Sequence, residues 1–431
     1  VGQGVLTPRQ ALLFADAGLM RAEDGALILG GVRVEDIAGD VGTPAYLYHA
    51  GAIRARYAAL TAALHPLAHQ IQYAVKANGS LAVLRVLQTL GAGCDIVSVG
   101  ELRRALAAGF AAERIVFSGV GKTVAELNEA CSAGIGQINI ESIEELDALG
   151  ALAAARNAPR PIRVGIRVNP DVTVDTHPYI TTGTAAAKFG IPADQVVETA
   201  RRIAANTRLE LTGIAMHVGS QLLHPGPYVK GTARLAGLIA AIRAEGITSL
   251  ASVDIGGGLG IRYSDETPLE PEALADAIKP VLAPLGLAVH LEPGRFLVGS
   301  AGILLATVLY RKHAGGKDFV VVDAGMNDLV RPSHYHAHHE VVVLNERRRP
   351  MKSVDVVGPI CESGDFLALE RALPEVEAGE RLAILCAGAY GFVMASTYNA
   401  RPRPPEIMID GEDWRVARPR ESLEDLMRGE G

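Results

Sequence analysis

The chain is poor in what would mark a secreted, membrane-embedded or nucleic-acid-binding protein. It has four cysteines in 431 residues, Cys94, Cys131, Cys361 and Cys386, and no CxxC pair. A chain this long needs no disulfide staples, so a reducing cytoplasm is the expected compartment. Positive charge is not in excess. With 41 Lys and Arg against 48 Asp and Glu, the formal net charge is −7, which argues against a broad basic surface for nucleic acid. The one basic run, Arg347 to Arg349, stops at Pro350 and reads as a solvated turn. Long apolar runs are missing too. The longest, residues 301–310, is far too short to cross a bilayer. VGQGVLTPRQ at the start lacks a basic segment followed by an apolar one, so no signal peptide is expected. Internal repeats, low-complexity segments and obvious flexible linkers are absent.

What is present is a large globular composition, 49% hydrophobic and 21% charged, and a length that suits two or three domains. β-rich runs occur at 70–75, 93–97, 114–118, 137–140, 162–168, 213–217, 251–255 and 288–292. Between them lie Ala- and Leu-rich stretches with helical spacing, at 81–90, 99–109, 122–133, 142–155, 193–205, 229–245 and 271–285. Strands alternating with helices mean βαβ units and a parallel sheet. Eight of them predict a closed (β/α)₈ barrel of the TIM type, α/β in class, over 48–305. After about residue 305 the helical pattern stops. Runs at 319–323, 340–344, 353–357 and 382–385 predict an all-β, Greek-key-like domain over 306–431. Residues 1–47 hold short strand-like pieces at 26–29 and 45–49 and are expected to join it. Longer loops at 176–190 and 218–230 read as binding loops.

Most barrel runs end in polar or glycine-rich residues, and barrel enzymes place their chemistry at the C-terminal strand ends. In YAVKAN, an apolar run ends in Lys76. A lysine with its stem in apolar surroundings can lose its proton and attack carbonyls; taken alone it fits a solvated strand end as well. VDIGGGLG at 253–260 runs a strand into Gly256, Gly257 and Gly258, which suits an anion held by bare backbone, or simply a tight turn. It is not the dinucleotide fingerprint, because Ile261 stands where the third glycine is needed, and no GxxxxGK[ST] occurs. His217 in MHVGSQ, followed by Ser220, is a core histidine or a rim residue for stacking or proton transfer. Glu292 in HLEPGR is a strand-tip carboxylate that needs a charged or protonated partner. That partner is either a cofactor ring nitrogen or Arg295.

A lysine nucleophile, a phosphate cradle, a histidine and a carboxylate for a ring nitrogen are the parts of a pyridoxal phosphate site. The chain resembles the fold-type III, alanine-racemase-like pyridoxal phosphate enzymes, and among them the diaminopimelate decarboxylase family. The resemblance spans 43–399. It rests on TPAYLY, YAVKAN, THPYITTG, KFGI, HVGSQ, DIGGGLG, EPGRFLVG, MNDLVRPSHY, CESGD and AYGFVMASTYN.

The resemblance implies decarboxylation of meso-2,6-diaminopimelate to L-lysine, the last step of lysine biosynthesis. It implies that Lys76 carries pyridoxal 5'-phosphate covalently. Gly256, Gly257, Gly258 and Ser220 would bind its phosphate, with Gly294 and Arg295 nearby. His217 would stack on its ring, Glu292 would pair with its nitrogen, and Tyr390 would reach phosphate or substrate. Arg295, Arg331 and Tyr335 would take the substrate's distal carboxylate, for which arginine is well suited. Glu362 would take its distal ammonium, and Cys361 would return a proton after CO₂ leaves. Cys361 and Glu362 would enter the site of a neighbouring subunit, implying a homodimer with composite sites. A decarboxylase of ornithine, arginine or carboxynorspermidine, a racemase, and a non-catalytic pyridoxal phosphate carrier are the rival readings. The ornithine and arginine enzymes have no need of Arg331 with Tyr335, a racemase needs a base on each face of the substrate, and the carrier lacks a β-domain. SHYHAHHE at 333–340 offers four histidines and a glutamate, but its spacing is loose. It reads as a structural or solvated stretch, with no metal expected.

Overall fold

A computed structural model describes residues 6–156, 160–171 and 188–430. The chain divides into two compact units. One comprises Arg56–Gly260 and Thr267–Phe296; the other comprises Val1–Ala55, Ile261–Glu266 and Leu297–Gly431. THPYITTG at 176–183 lies outside the described residues.

In the first unit, the barrel strands among the described residues are β1 His69–Ala74, β2 Gly93–Ile96, β3 Ile115–Phe117, β4 Gln137–Ile140, β5 Ile162–Asn169, β6 Leu209–Met216, β7 Ser252–Asp254 and β8 Ala288–Leu291. Each pairs in parallel with the next. β8 returns to β1 with Leu291 opposite Ile71, so the sheet closes. Helices Leu81–Thr89, Val99–Ala108, Val124–Ala133, Ile143–Arg156, Val196–Ala205, Gly226–Ala244 and Pro271–Leu282 supply the crossovers. Their starts and stops follow local chemistry. Thr123 and Glu126 form a capping box, and Gly109 and Gly134 end their helices in the left-handed region.

The barrel interior holds a polar ladder. Gln137 donates to Asn139 at 2.8 Å, Asn139 to Ser118 at 3.2 Å, and Thr212 to Gln137 at 2.9 Å. Buried amides stay only where they are hydrogen-bonded. Glycine makes the room on neighbouring strands. A Cβ on Gly165 would meet Gln137 Nε2 at 2.5 Å, and one on Gly213 would meet Gln137 Oε1 at 2.6 Å.

The second unit is built on a mixed sheet. Its path runs Phe366–Pro374, Met351–Val357, Lys317–Val322, Gly302–Ala314, Ala45–His49, Glu406–Asp410 and Asp413–Arg418. Strands Val341–Val343 and Arg381–Ile384 branch from it. The N-terminal strand Ala45–His49 does join this sheet, antiparallel to Gly302–Ala314 and parallel to Glu406–Asp410. Leu29, Ile37, Leu47, Ile303, Leu305 and Ile407 share its core.

Residues 1–47 differ from the expectation of short strands alone. Strand Leu27–Leu29 forms, but Pro8–Ala17 and Val34–Val41 are helices. The first is fixed by a capping box between Thr7 and Gln10, Pro8 at its first turn and left-handed Gly18 at its end. Among the described residues no helix is long and apolar enough to cross a membrane.

Candidate active site

Strand β1 stops at Ala74, one residue earlier than the apolar run suggests. A single 3₁₀ turn, Val75–Ala77, then presents Lys76. Tyr73 OH donates to the Asn78 carbonyl at 2.9 Å, and Asn78 Oδ1 accepts the Ser80 N–H at 3.0 Å, so the turn is locked from below. Lys76 Nζ lies 2.8 Å from Asp95 Oδ2 at the end of β2. The lysine side chain is 38% exposed and that of Asp95 is fully buried.

Two more carboxylates are buried at neighbouring strand ends. Asp254 ends β7 and its Oδ1 accepts the Gly256 N–H at 2.7 Å. Burial pushes its carboxyl up to about 7; the Gly256 bond opposes this and Asp95 adds to it. Glu292 follows β8. Burial first, then Asp254 and Asp95, hold its carboxyl well above the usual range, against the pull of Lys76 and Arg167. Three buried carboxylates thus share the field of two cations. The rim is short of positive charge beside Glu292, which is what a protonated ring nitrogen would supply.

His217 follows β6. Its Nδ1 accepts the Gly257 N–H at 3.3 Å. Burial lowers its basicity, and Arg167 and Lys76 lower it further, so the ring is neutral. A neutral, half-buried imidazole suits stacking on a flat ring.

The glycine run is needed residue by residue. Gly256 and Gly258 have φ of +76° and +103°. A Cβ on Gly256 would meet His217 Cα at 3.0 Å, one on Gly257 would run into the Glu292 carbonyl, and one on Gly258 into the Gly219 carbonyl. Two backbone bonds stitch this turn to the loop after His217. Leu222 N–H donates to the Gly258 carbonyl at 2.8 Å, and Gly260 N–H to the Leu222 carbonyl at 3.1 Å. Tyr228 OH holds the Gly257 carbonyl from behind at 2.8 Å. No side chain can stand in the turn, so an anion can approach its backbone closely. Ser220 Oγ accepts from Arg295 Nη2 at 3.1 Å. Gly294 lets the chain after β8 run beside the lysine turn, since a Cβ there would meet that of Ala77 at 2.8 Å. Lys76, His217, Ser220, the three glycines, Glu292, Gly294 and Arg295 therefore sit on the C-terminal ends, or the loops that follow them, of one barrel.

Four further residues belong with this set: Asp95 and Asp254, which sequence reasoning passed over, and Arg167 and Glu141, which it noted only as polar strand ends. Arg167 Nη1 pairs with Glu141 at 2.8 Å, and its guanidinium lies 4.9 Å from the Phe189 ring centre. Glu141 also accepts the Gly119 N–H at 2.6 Å. The usable signal was a charge inside or at the tip of a buried strand, which demands a partner.

The second unit carries its own set. Arg331 opens helix Arg331–Tyr335 and is 6% exposed. It donates from Nη1 to Tyr263 OH at 2.8 Å and to His339 Nε2 at 3.2 Å. Tyr335 is half-buried, its ring 4.5 Å from that of His334. Cys361 and Glu362 are exposed. The Cys361 N–H donates to Asn399 Oδ1 at 2.9 Å, and Glu362 bonds the Tyr398 phenol, raising its pKa. Asp365 underpins this turn by accepting the Met326 and Ile360 N–H groups, both at 2.6 Å. Tyr390 is half-buried, with φ of +56°.

Among the described residues, no group of three or more His, Cys, Asp or Glu is placed to hold a metal ion. His338 and His339 have other partners. His338 lies 2.6 Å from Arg371 Nη1 and 3.4 Å from Glu340, and His339 lies against Arg331.

The sequence model of the family described as pyridoxal-dependent decarboxylase, pyridoxal binding domain, matches residues 50–299. The chain is similar to a diaminopimelate decarboxylase of Pseudomonas aeruginosa, with 46% identity covering 94% of this chain and 97% of that protein. It is similar in fold to a crystal structure of diaminopimelate decarboxylase from Helicobacter pylori complexed with L-lysine. There the TM-score is 0.88 and the identity 40%, over 91% of this chain and 98% of that one. The enzyme from M. jannaschii in complex with L-lysine gives a TM-score of 0.90 at 33% identity, over 96% and 98% of the two chains.

Proposed function

This chain belongs to the pyridoxal-dependent decarboxylase family, and from that we propose the following assignment of its chemistry. It decarboxylates meso-2,6-diaminopimelate to L-lysine and CO₂, the last step of lysine biosynthesis by the diaminopimelate pathway. The polyamine-precursor alternative is not favoured, since relatives at 40–46% identity over nine-tenths or more of the chain carry the diaminopimelate decarboxylase name.

The cofactor is pyridoxal 5'-phosphate, which supplies an electron sink when bound. Lys76 is its covalent anchor. Asp95, 2.8 Å from Nζ, keeps that amine oriented and holds a proton near it. Gly256, Gly257, Gly258 and Ser220 hold the phosphate, with Gly294 and Arg295 beside them and Tyr390 assisting. Glu292 faces the ring nitrogen, and His217 stacks on the ring through its neutral imidazole.

The second unit reads the substrate. Arg331 and Tyr335, with Arg295, take the carboxylate that the substrate keeps, and Glu362 takes its ammonium. Loss of CO₂ leaves an electron pair on the substrate carbon, and Cys361 Sγ supplies the proton that ends there. We infer a cytoplasmic homodimer in which Cys361 and Glu362 complete the partner subunit's site.

The observation that carries this reading is the barrel rim, where Lys76, a glycine cradle, a neutral histidine and a charge-short Glu292 meet. CO₂ release from meso-diaminopimelate by wild type and by Cys361→Ala, with cofactor absorbance followed, tests it. Wild type should turn over. The variant should keep its cofactor band and lose about 10²- to 10⁴-fold in kcat, the usual worth of a general acid. A wild type that binds cofactor and leaves diaminopimelate untouched overturns the substrate assignment.

A further inference from the structure

Arg331 is itself gripped, and the histidine-rich stretch does the gripping. Helix Arg331–Tyr335 lasts barely more than one turn. His336 ends it in the left-handed region, and the Ala337 N–H bonds back to the Arg331 carbonyl at 3.3 Å. The chain therefore doubles back, and His339, eight residues after the arginine, lands against its guanidinium.

The roles of the two ring nitrogens follow from their partners. His339 is fully buried, and its Nδ1 lies 2.7 Å from the Leu385 carbonyl oxygen. A carbonyl only accepts, so Nδ1 carries the hydrogen. Nε2 lies 3.2 Å from Arg331 Nη1, and a guanidinium only donates, so Nε2 is the bare acceptor. Both contacts demand one tautomer of the neutral ring. Tyr263 completes the grip. Its hydroxyl accepts from the same Nη1 at 2.8 Å, its ring centre lies 4.6 Å from the guanidinium carbon, and it meets the His339 ring edge-on at 5.4 Å. The two hydrogens of Nη1 are thereby committed to Tyr263 and His339, and the plane of the guanidinium is set.

We propose that His339, with Tyr263, is a positioning residue for substrate specificity. It fixes the orientation in which Arg331 presents its fork to the carboxylate that the substrate retains. The inference rests on the reading of Arg331 given above. A bidentate grip on a carboxylate depends on the angle of the fork, so losing the support costs recognition of that carboxylate and not of the rest of the ligand.

The test compares two inhibitors of the holoenzyme. L-lysine keeps the carboxylate; 1,5-diaminopentane has the same chain and amines but no carboxylate. In His339→Leu, KM for diaminopimelate and Ki for lysine should each rise about 10-fold or more, with kcat falling far less, the pattern of lost uniform binding. Inhibition by the diamine and the cofactor band should stay within about twofold, since neither involves a carboxylate grip. His339→Gln, whose amide can both accept from Arg331 and donate to Leu385, should restore most of the lysine affinity. Tyr263→Phe, which removes one acceptor only, should shift the lysine-to-diamine ratio by a smaller factor, about threefold. Equal weakening of both inhibitors, or no weakening of either, overturns the proposal. If His339→Leu does not fold, an unchanged ratio in Tyr263→Phe overturns it. Failure of the wild type to decarboxylate diaminopimelate would instead remove the underlying reading, so the two failures are told apart.

Discussion

Asp254 does two jobs with one carboxylate. It fixes Gly256 in the left-handed conformation through the 2.7 Å N–H bond, and it raises the proton affinity of Glu292. Its own carboxyl sits at about 7 in the folded chain, mainly through burial, against roughly 3.9 when unfolded. Between those values the folded chain holds a proton that the unfolded chain has released. Stability is therefore greatest below the unfolded value and is lost as pH rises toward and through 7. Cofactor-free protein should lose stability between about pH 4 and 7 and level off above that, with this group contributing at most about 1.4 kcal/mol per pH unit. Asp254→Asn keeps an amide oxygen for Gly256, so the wild-type-minus-variant difference in denaturant-derived stability should fall as pH rises. A difference that stays flat would show that Asp254 titrates normally. Bound cofactor, with a cation beside Glu292, should make the wild-type profile shallower. None of this was readable from the sequence, because Asp95 and Asp254 sit inside short apolar runs that score as plain strand. Lys76, His217 and Glu292 were readable because each ends such a run and is followed by a turn.

At the scale of elements, the cradle is a joint between two loops and a strand end, and Gly257 is its tightest point. A Cβ there would run into the Glu292 carbonyl, a backbone atom that cannot yield without moving the end of β8. Gly257→Ala should cost about 1–3 kcal/mol, expressed as roughly five- to 150-fold weaker cofactor binding in an absorbance titration. Gly237→Ala, on the surface of helix Gly226–Ala244 with open space around its Cβ, is the matched control and should leave binding unchanged. Equal affinities for both variants would mean that the turn does not hold the phosphate. The barrel elements were legible because buried parallel strands read as unbroken apolar runs and their crossover helices carry caps. The N-terminal helices were not, although Thr7-Pro8 with Gln10 and Gly18 spells out a capped helix, because the segment is short and lies beside real strands. Strand Gly302–Ala314 was hidden for another reason: its first half is an apolar run whose period decides nothing between buried helix and buried strand.

At the scale of the whole molecule, the exposed position of Cys361 and Glu362 has to be reconciled with the chemistry proposed for them. A proton donor to a carbanion works where water is excluded, yet in a single chain both residues face solvent. They are held in place, since the Asn399 side chain bonds the Cys361 backbone and Tyr398 bonds Glu362. Beside them Tyr398, 45% exposed, adds aromatic surface that a second subunit would cover. If each site takes Lys76 from one subunit and Cys361 from the other, Lys76→Ala and Cys361→Ala are each inactive but complement one another. After subunit exchange about half the dimers are mixed. Each mixed dimer has one site with both wild-type residues and one with neither, so about a quarter of wild-type activity should return. The measurement is CO₂ release after co-refolding or co-expression, with the dimer confirmed by its sedimentation. If the pair acts within one chain, no arrangement of subunits rebuilds a site, and the mixture stays as inactive as its parts.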